Sequence, residues 1–173
     1  YTAIKNRLIL SIRYPKSSTI LSDCYKPKEI CVGSWNVLNQ GEDICLLTFG
    51  SMIKTCLKVA EFQFKEKQKN ITVVNCRFIK PIDVNLIEKL LVNHNHFIIV
   101  EEGIISGGFG SSILEYFSLK SISKNVKLIG INDQFTEQGT RNQLLKLIGL
   151  DFESINNSVN TIIHEKNSEN CIP

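Results

Sequence analysis

None of the six cysteines, at positions 24, 31, 45, 56, 76 and 171, stands two to four residues from another. That absence removes the spacing zinc ligands and redox dithiols require. Most of them lie in apolar contexts, where a free thiol behaves as a small hydrophobe, so a reducing compartment is expected. Histidine is scarce, with three in the chain. His94 and His96 fall in a polar turn ahead of an apolar run and His164 in a polar tail, and all three read as surface residues. No apolar run approaches the ~20 residues of a membrane span; the longest, around Phe97 to Val100, has the length of a strand. A nucleic-acid footprint is missing too. The net charge is only +3, and Lys65, Lys67, Lys69, Lys120, Lys124, Lys127 and Lys146 stand among polar neighbours rather than aromatics, as solvated helix ends do. Nor does a methionine begin the chain. Its start at Tyr1 is expected to mark a piece of something longer, with any targeting sequence upstream.

What is present is an ordinary globular composition, 43% apolar and 21% charged over 173 residues, enough for one α/β domain with short appendages. Leu8 to Tyr14 is a β-rich run stopped by Pro15, and Lys16 to Lys28 has no period. A rhythm then begins. Short strands are expected at Ser34 to Leu38, Ile44 to Phe49, Val73 to Asn75, Phe97 to Val100 and Val126 to Ile131. Between them lie helical patterns: Ile53, Leu57, Ala60 and Phe64 after a Ser51 cap; Leu86, Ile87, Leu90 and Leu91 after Asp83; Ile113, Leu114 and Phe117 after a glycine-rich turn. Thr140 with Gln143 spells a capping box, and Asp151 precedes a last helix with Phe152, Ile155, Val159 and Ile162. Strands apolar on both faces, alternating with helices, imply an α/β fold: a three-layer αβα sandwich with a mostly parallel sheet.

Four constellations bear on chemistry. Gly107-Gly108-Phe109-Gly110, between a strand and a helix, could cradle a phosphate. It departs from the dinucleotide fingerprint, with Ile113 where a small residue belongs and no acidic residue at the usual distance, so tight packing of helix on sheet is the alternative. Glu101-Glu102 are paired carboxylates at a strand end, but as neighbours on a strand they point to opposite faces; structural hydrogen bonding competes with acid-base work. Ser106, Ser111 and Ser112 lack a nucleophile elbow and read as helix caps. Arg13 and Lys16, flanking Tyr14-Pro15 at the end of the first strand, are cations placed where a substrate phosphate could be held.

Read in order, these segments resemble one family. Ile12-Arg13-Tyr14-Pro15-Lys16 is similar to the "VRYPRG" of 1-deoxy-D-xylulose-5-phosphate synthases, and Val74 to Asp83 to their "V-x-x-RFxKPLD". Val100-Glu101-Glu102-Gly103 with Gly107 to Ser111 resembles "VEEG…GGFGS", Ile131 to Thr140 resembles "xPDxFxxHG", and Leu147 to Asp151 resembles "LGLD". The resemblance runs from about residue 8 to residue 163. It implies a transketolase-like enzyme that joins pyruvate to D-glyceraldehyde 3-phosphate with loss of carbon dioxide, in the isoprenoid precursor pathway. Thiamin diphosphate and Mg2+ then belong to upstream domains, and this region holds neither catalytic, cofactor nor metal residues.

By the same resemblance, residues 1–16 are the last strand of the upstream pyrimidine-binding domain, 17–33 a linker, 34–164 the transketolase-like C-terminal domain and 165–173 a disordered tail. Lys16 stands where the family has an arginine for the acceptor's phosphate, and Ser17 where it has glycine. A compact ammonium keeps the attraction but loses the bidentate fork. The domain is expected to brace its upstream neighbour and extend a homodimer contact through Ile104, Ile105 and Phe109, and to be inactive alone. Abundant Asn, Lys and Ile together with this pathway suggest a plastid-type organelle, an apicoplast. The competing identities are the C-terminal domain of a transketolase or of a 2-oxoacid dehydrogenase β subunit, and a nonenzymatic nucleotide-binding domain.

Overall fold

A computed structural model describes residues 1–14 and 26–169. Five strands, β1 (Asn36–Asn39), β2 (Asp43–Thr48), β3 (Thr72–Asn75), β4 (His94–Ile104) and β5 (Asn125–Ile131), form one sheet in the order β1-β3-β2-β4-β5. The pairs β2–β3, β2–β4 and β4–β5 are parallel, and β1 joins β3 antiparallel. The mostly parallel sheet read from the sequence is what the chain forms.

The side-chain period of two divides the core. Ile44, Leu46, Val73, Ile98 and Val100 face one side, where α2 (Ile53–Lys67) contributes Cys56, Val59 and Ala60, and α6 (Phe152–Glu169) contributes Ile155, Val159 and Ile162. Cys45, Leu47, Val74, Phe97 and Ile99 face the other, under Ile87 and Leu90 of α3 (Val84–Asn93) and Phe109, Ile113 and Phe117 of α4 (Phe109–Leu119). Three layers result. Burying a side chain such as Leu47 or Phe97 completely contributes about 1.5–3 kcal/mol, and both are fully inaccessible.

Capping explains several helix starts. The Asp83 carboxylate accepts from Leu86 N (2.9 Å) and from Trp35 N (2.8 Å). At α5 (Arg141–Leu147), Thr140 and Gln143 form the capping box, and Asp151 accepts from Ser154 N at the start of α6.

Elsewhere the structure corrects the sequence reading. Ser51 does not cap α2: a 3₁₀ turn (Gly50–Met52) intervenes and α2 begins without a side-chain cap. That extra turn also shifts the helix's phase. Its buried face is Cys56, Val59, Ala60 and Gln63, while Phe64 is exposed. Gln63 replaces an apolar residue there because its Nε2 donates to Asn156 Oδ1 (2.6 Å) and Asn160 Oδ1 (2.8 Å) on α6.

His94 and His96 are buried, not on the surface. Helix α3 runs straight into β4 with no intervening turn, so polar residues that look like a loop are strand residues. His164 is exposed as read. Leu8 to Tyr14 forms no strand; the segment follows a short helix α1 (Thr2–Lys5) and exposes Ile9, Ile12 and Tyr14. A β-rich composition makes a strand only beside another strand, because backbone N–H and C=O groups need partners. At the other end α6 continues to Glu169, past the point at which a tail is expected, since extending a formed helix adds a hydrogen bond for each residue fixed. None of the described helices is long and apolar enough to cross a membrane.

Candidate functional site

In an open parallel sheet, ligands enter outside the carboxyl ends of the strands, where the strand order reverses. Here that point lies between β2 and β4. The groups gathered there are the turn after β2, the glycine-rich turn after β4 and the start of α5.

Glu101 and Glu102 leave β4 on opposite faces, as their adjacency requires. Glu101 is buried at 3% exposure. Its carboxylate accepts from Phe109 N (2.8 Å, Oε2) and Gly110 N (2.9 Å, Oε1), the first amides of α4. A negative charge is favourable at a helix N-terminus, where four N–H groups lack intrahelical partners. The glycines make room for it. A Cβ on Gly108 would lie 2.3 Å from Ile104 O and 2.6 Å from Glu101 Oε2, and one on Gly110 would lie 2.7 Å from Leu128. Gly107 has φ +71, a left-handed turn that glycine adopts without strain.

The serines do not cap the helix. Ser111 Oγ donates to Ile105 O (2.6 Å) and accepts from Gly107 N (3.1 Å), and Ser112 Oγ donates to Gly108 O. They hold the turn in shape. The phosphate-cradle reading thus fails on contact: amides that would bind an anion already bind one, supplied by the chain.

Glu102 faces the other way, partly exposed. It receives the Ser51 hydroxyl and pairs with the Arg141 guanidinium at 2.5 Å. This carboxylate therefore ties β4 to the 3₁₀ turn and to the first residue of α5. Sequence reasoning passed over Arg141, yet a signal was there. A cation in the first turn of a helix opposes the helix dipole and calls for a carboxylate nearby.

Arg13 is exposed, in the unpaired segment after α1. Lys16, its companion in the expected phosphate contact, lies outside the described residues, as do Cys24 and Cys171. Of the thiols described, Cys31 is exposed and Cys45, Cys56 and Cys76 are buried. Burial pushes the Cys56 thiol up to about 12, against a hydrogen bond to Thr48 that lowers it, and lifts those of Cys45 and Cys76 further. Buried thiols of this kind are unreactive.

Among the described residues no group of three or more His, Cys, Asp or Glu could hold a metal ion. Nor does the edge of the sheet fit a diphosphate. Its oxygens would have to sit where Glu101 already places two, with like charge.

A family model described as "Transketolase, C-terminal domain" matches residues 33–155. The chain is similar to the 1-deoxy-D-xylulose-5-phosphate synthase of Clostridium botulinum (strain Alaska E43 / Type E3), 39% identical over 157 residues. It is similar also to that of Aquifex aeolicus (strain VF5), 36% identical over 159 residues. These alignments cover 91% and 92% of this chain and 25% of each relative, so the chain spans about a quarter of the length of the curated relatives it matches. Among solved structures, a split gene transketolase in an inactive beta4 tetramer superposes with a TM-score of 0.71 and 26% identity, over 82% of this chain and 46% of the other.

Proposed function

The chain belongs to the transketolase C-terminal-domain family, and from that premise we propose that it is the C-terminal part of a 1-deoxy-D-xylulose-5-phosphate synthase, a transferase of the transketolase type. The intact enzyme condenses pyruvate with D-glyceraldehyde 3-phosphate, releasing carbon dioxide and providing an isoprenoid precursor. The synthase name comes from relatives matched over nine-tenths of the chain, which favours it over a transketolase or a 2-oxoacid dehydrogenase β subunit.

The observation that carries this part's own role is the Glu101 carboxylate seated on the α4 amides. A sheet edge closed by its own side chain braces its neighbours rather than binding a nucleotide. On this reading thiamin diphosphate and Mg2+ are held by the upstream domains, and residues 1–16 complete the pyrimidine-binding domain, whose sheet offers Leu8 to Tyr14 the strand partner it lacks here. Residues 17–33 link the two domains. The contact within a homodimer runs over Ile104, which is 48% exposed, and the half-buried Ile105. Phe109 is not part of that surface, being 2% exposed and packed edge-on against Trp35 and Phe49. A plastid-type organelle, an apicoplast, is supported by the abundance of Asn, Lys and Ile and by the pathway alone; the relatives named above are bacterial and lend it no support.

Lys16 holds the acceptor's phosphate, with Arg13 nearby. In the intact enzyme Lys16→Ala lowers kcat/KM for glyceraldehyde 3-phosphate by about tenfold to a hundredfold, the loss of one charge-assisted contact of ~1.5–3 kcal/mol, and leaves unphosphorylated glyceraldehyde unaffected. Steady-state assays with both acceptors check this. Equal losses for the two acceptors remove Lys16 from the phosphate site, and an intact enzyme that makes no 1-deoxy-D-xylulose 5-phosphate removes the synthase reading.

A further inference from the structure

The segment Val74 to Asp83 carries part of the family resemblance and has no task in the reading above. In the structure it grips the end of the linker. Arg77 donates from Nε to Ser34 O and from Nη2 to Ser34 Oγ, both at 2.8 Å, a two-pronged hold that suits the fixed fork of a guanidinium. Phe78 O accepts from the Trp35 indole Nε1 (2.7 Å), and Asp83 Oδ2 accepts from Trp35 N. Gly33, with φ +81, lies so near that a Cβ there would meet Pro81 Cγ at 3.0 Å. Trp35 is buried, so this end is built into the core.

The other end is held by α1. Beyond Asn6 the chain turns away with Arg7 at φ +50, where Arg7 N donates to Ile4 O and Leu8 N to Ala3 O, the paired bonds that close a helix. It returns to the same turn at Glu29. One oxygen of that carboxylate takes the Lys5 ammonium at 2.5 Å and the other takes the Asn6 amide at 2.6 Å. The bond from Lys5 first, and then that from Asn6, holds the Glu29 carboxyl below the usual carboxylate range. Thr2, which is buried, accepts from Ile30 N at 3.0 Å. Thr2, Lys5 and Asn6 thus seize two consecutive linker residues, and further on Ser34 N and Oγ both donate to Cys31 O.

We propose that residues 29–35 are a strut fastened to α1 at one end and to the domain at the other, and that Lys5, Glu29 and Arg77 are positioning residues for the acceptor's phosphate. The inference rests on the synthase reading and deepens it. Arg13 belongs to the stretch that leaves α1 at Asn6 and comes back at Glu29, so the neck closed by Glu29 limits where that cation can sit. Arg77 and Asp83 fix the neck in turn to the domain, through Ser34 and Trp35. None of the three positioning residues touches substrate. Each acts by holding backbone, and catalysis that depends on orientation is sensitive to small displacements.

Steady-state kinetics of the intact enzyme with a charge swap test the strut. In Glu29→Lys the KM for glyceraldehyde 3-phosphate rises by about fivefold, the order an exposed pair supplies, while the KM for pyruvate and the rate with unphosphorylated glyceraldehyde hold. Lys5→Glu behaves alike. The double variant Lys5→Glu/Glu29→Lys restores the pair with its signs exchanged and returns the KM to within about twofold of wild type, the coupling a double-mutant cycle reads. Arg77→Ala, at the far fastening, gives the same selective rise. A Glu29→Lys enzyme equal to wild type, a loss shared by pyruvate or by the unphosphorylated acceptor, or a double variant no better than the singles would each overturn the strut. Failure of the phosphate site itself shows separately, as Lys16→Ala kinetics equal to wild type, and failure of the synthase reading as an intact enzyme that makes no product.

Discussion

Glu101→Ala lowers the stability of this chain by about 3 kcal/mol, because it strips a charged acceptor from two buried amides at once. Phe109 N–H and Gly110 N–H would be left at a site where Glu101 is 3% and Phe109 2% exposed, and water has little room there to replace the lost oxygens. With a urea m-value of ~2 kcal/mol per molar for a domain of this size, the unfolding midpoint moves down by roughly 1.5 M. Glu101→Gln keeps one accepting oxygen and turns an amide NH₂ towards the other N–H, so its loss is smaller but present. The neighbouring residue supplies the control. Glu102→Ala removes an exposed pair with Arg141, and exposed pairs contribute at most about 1 kcal/mol. Equal losses at 101 and 102 would mean that the buried carboxylate does not hold the helix.

The second large effect is on activity. Ending the intact enzyme before residue 33, and so removing the matched domain, lowers formation of 1-deoxy-D-xylulose 5-phosphate by more than about a hundredfold. This holds although, on the reading given above, no group that does the chemistry is removed. Catalysis that depends on positioning loses a factor of that order when reacting groups shift by ~1 Å, and the upstream domain would lose its brace. Product formation by the shortened and intact chains, measured side by side, checks it. Retained activity in the shortened chain would show that the domain does not brace its neighbour.

Much of the architecture was legible because burial leaves a plain trace. Ile44 to Phe49 reads as a strand covered on both sides, and its alternate residues do divide between the two cores. The divergence of Glu101 and Glu102 follows from the period of a strand, and the caps at Asp83 and Thr140 from the chemistry of helix starts. What stayed hidden depends on contacts distant in sequence or on junctions without a loop. His94 looks like a turn residue until α3 is seen to enter β4 directly. Ser51 looks like a cap until a 3₁₀ turn displaces the helix start. The glycine-rich turn looks like a phosphate site until Glu101, eight residues before Phe109, is found on its amides. Leu8 to Tyr14 carries strand composition, but pairing needs a neighbouring strand that these residues do not meet among the described residues.

Calorimetric titration of thiamin diphosphate with Mg2+ into this chain, beside the intact enzyme, tests the account most directly. The expected result is saturable binding by the intact enzyme and no saturable heat with this chain up to millimolar ligand. Stoichiometric binding by the 173-residue chain would contradict it, since the amides of α4 would then have to serve the cofactor and not Glu101.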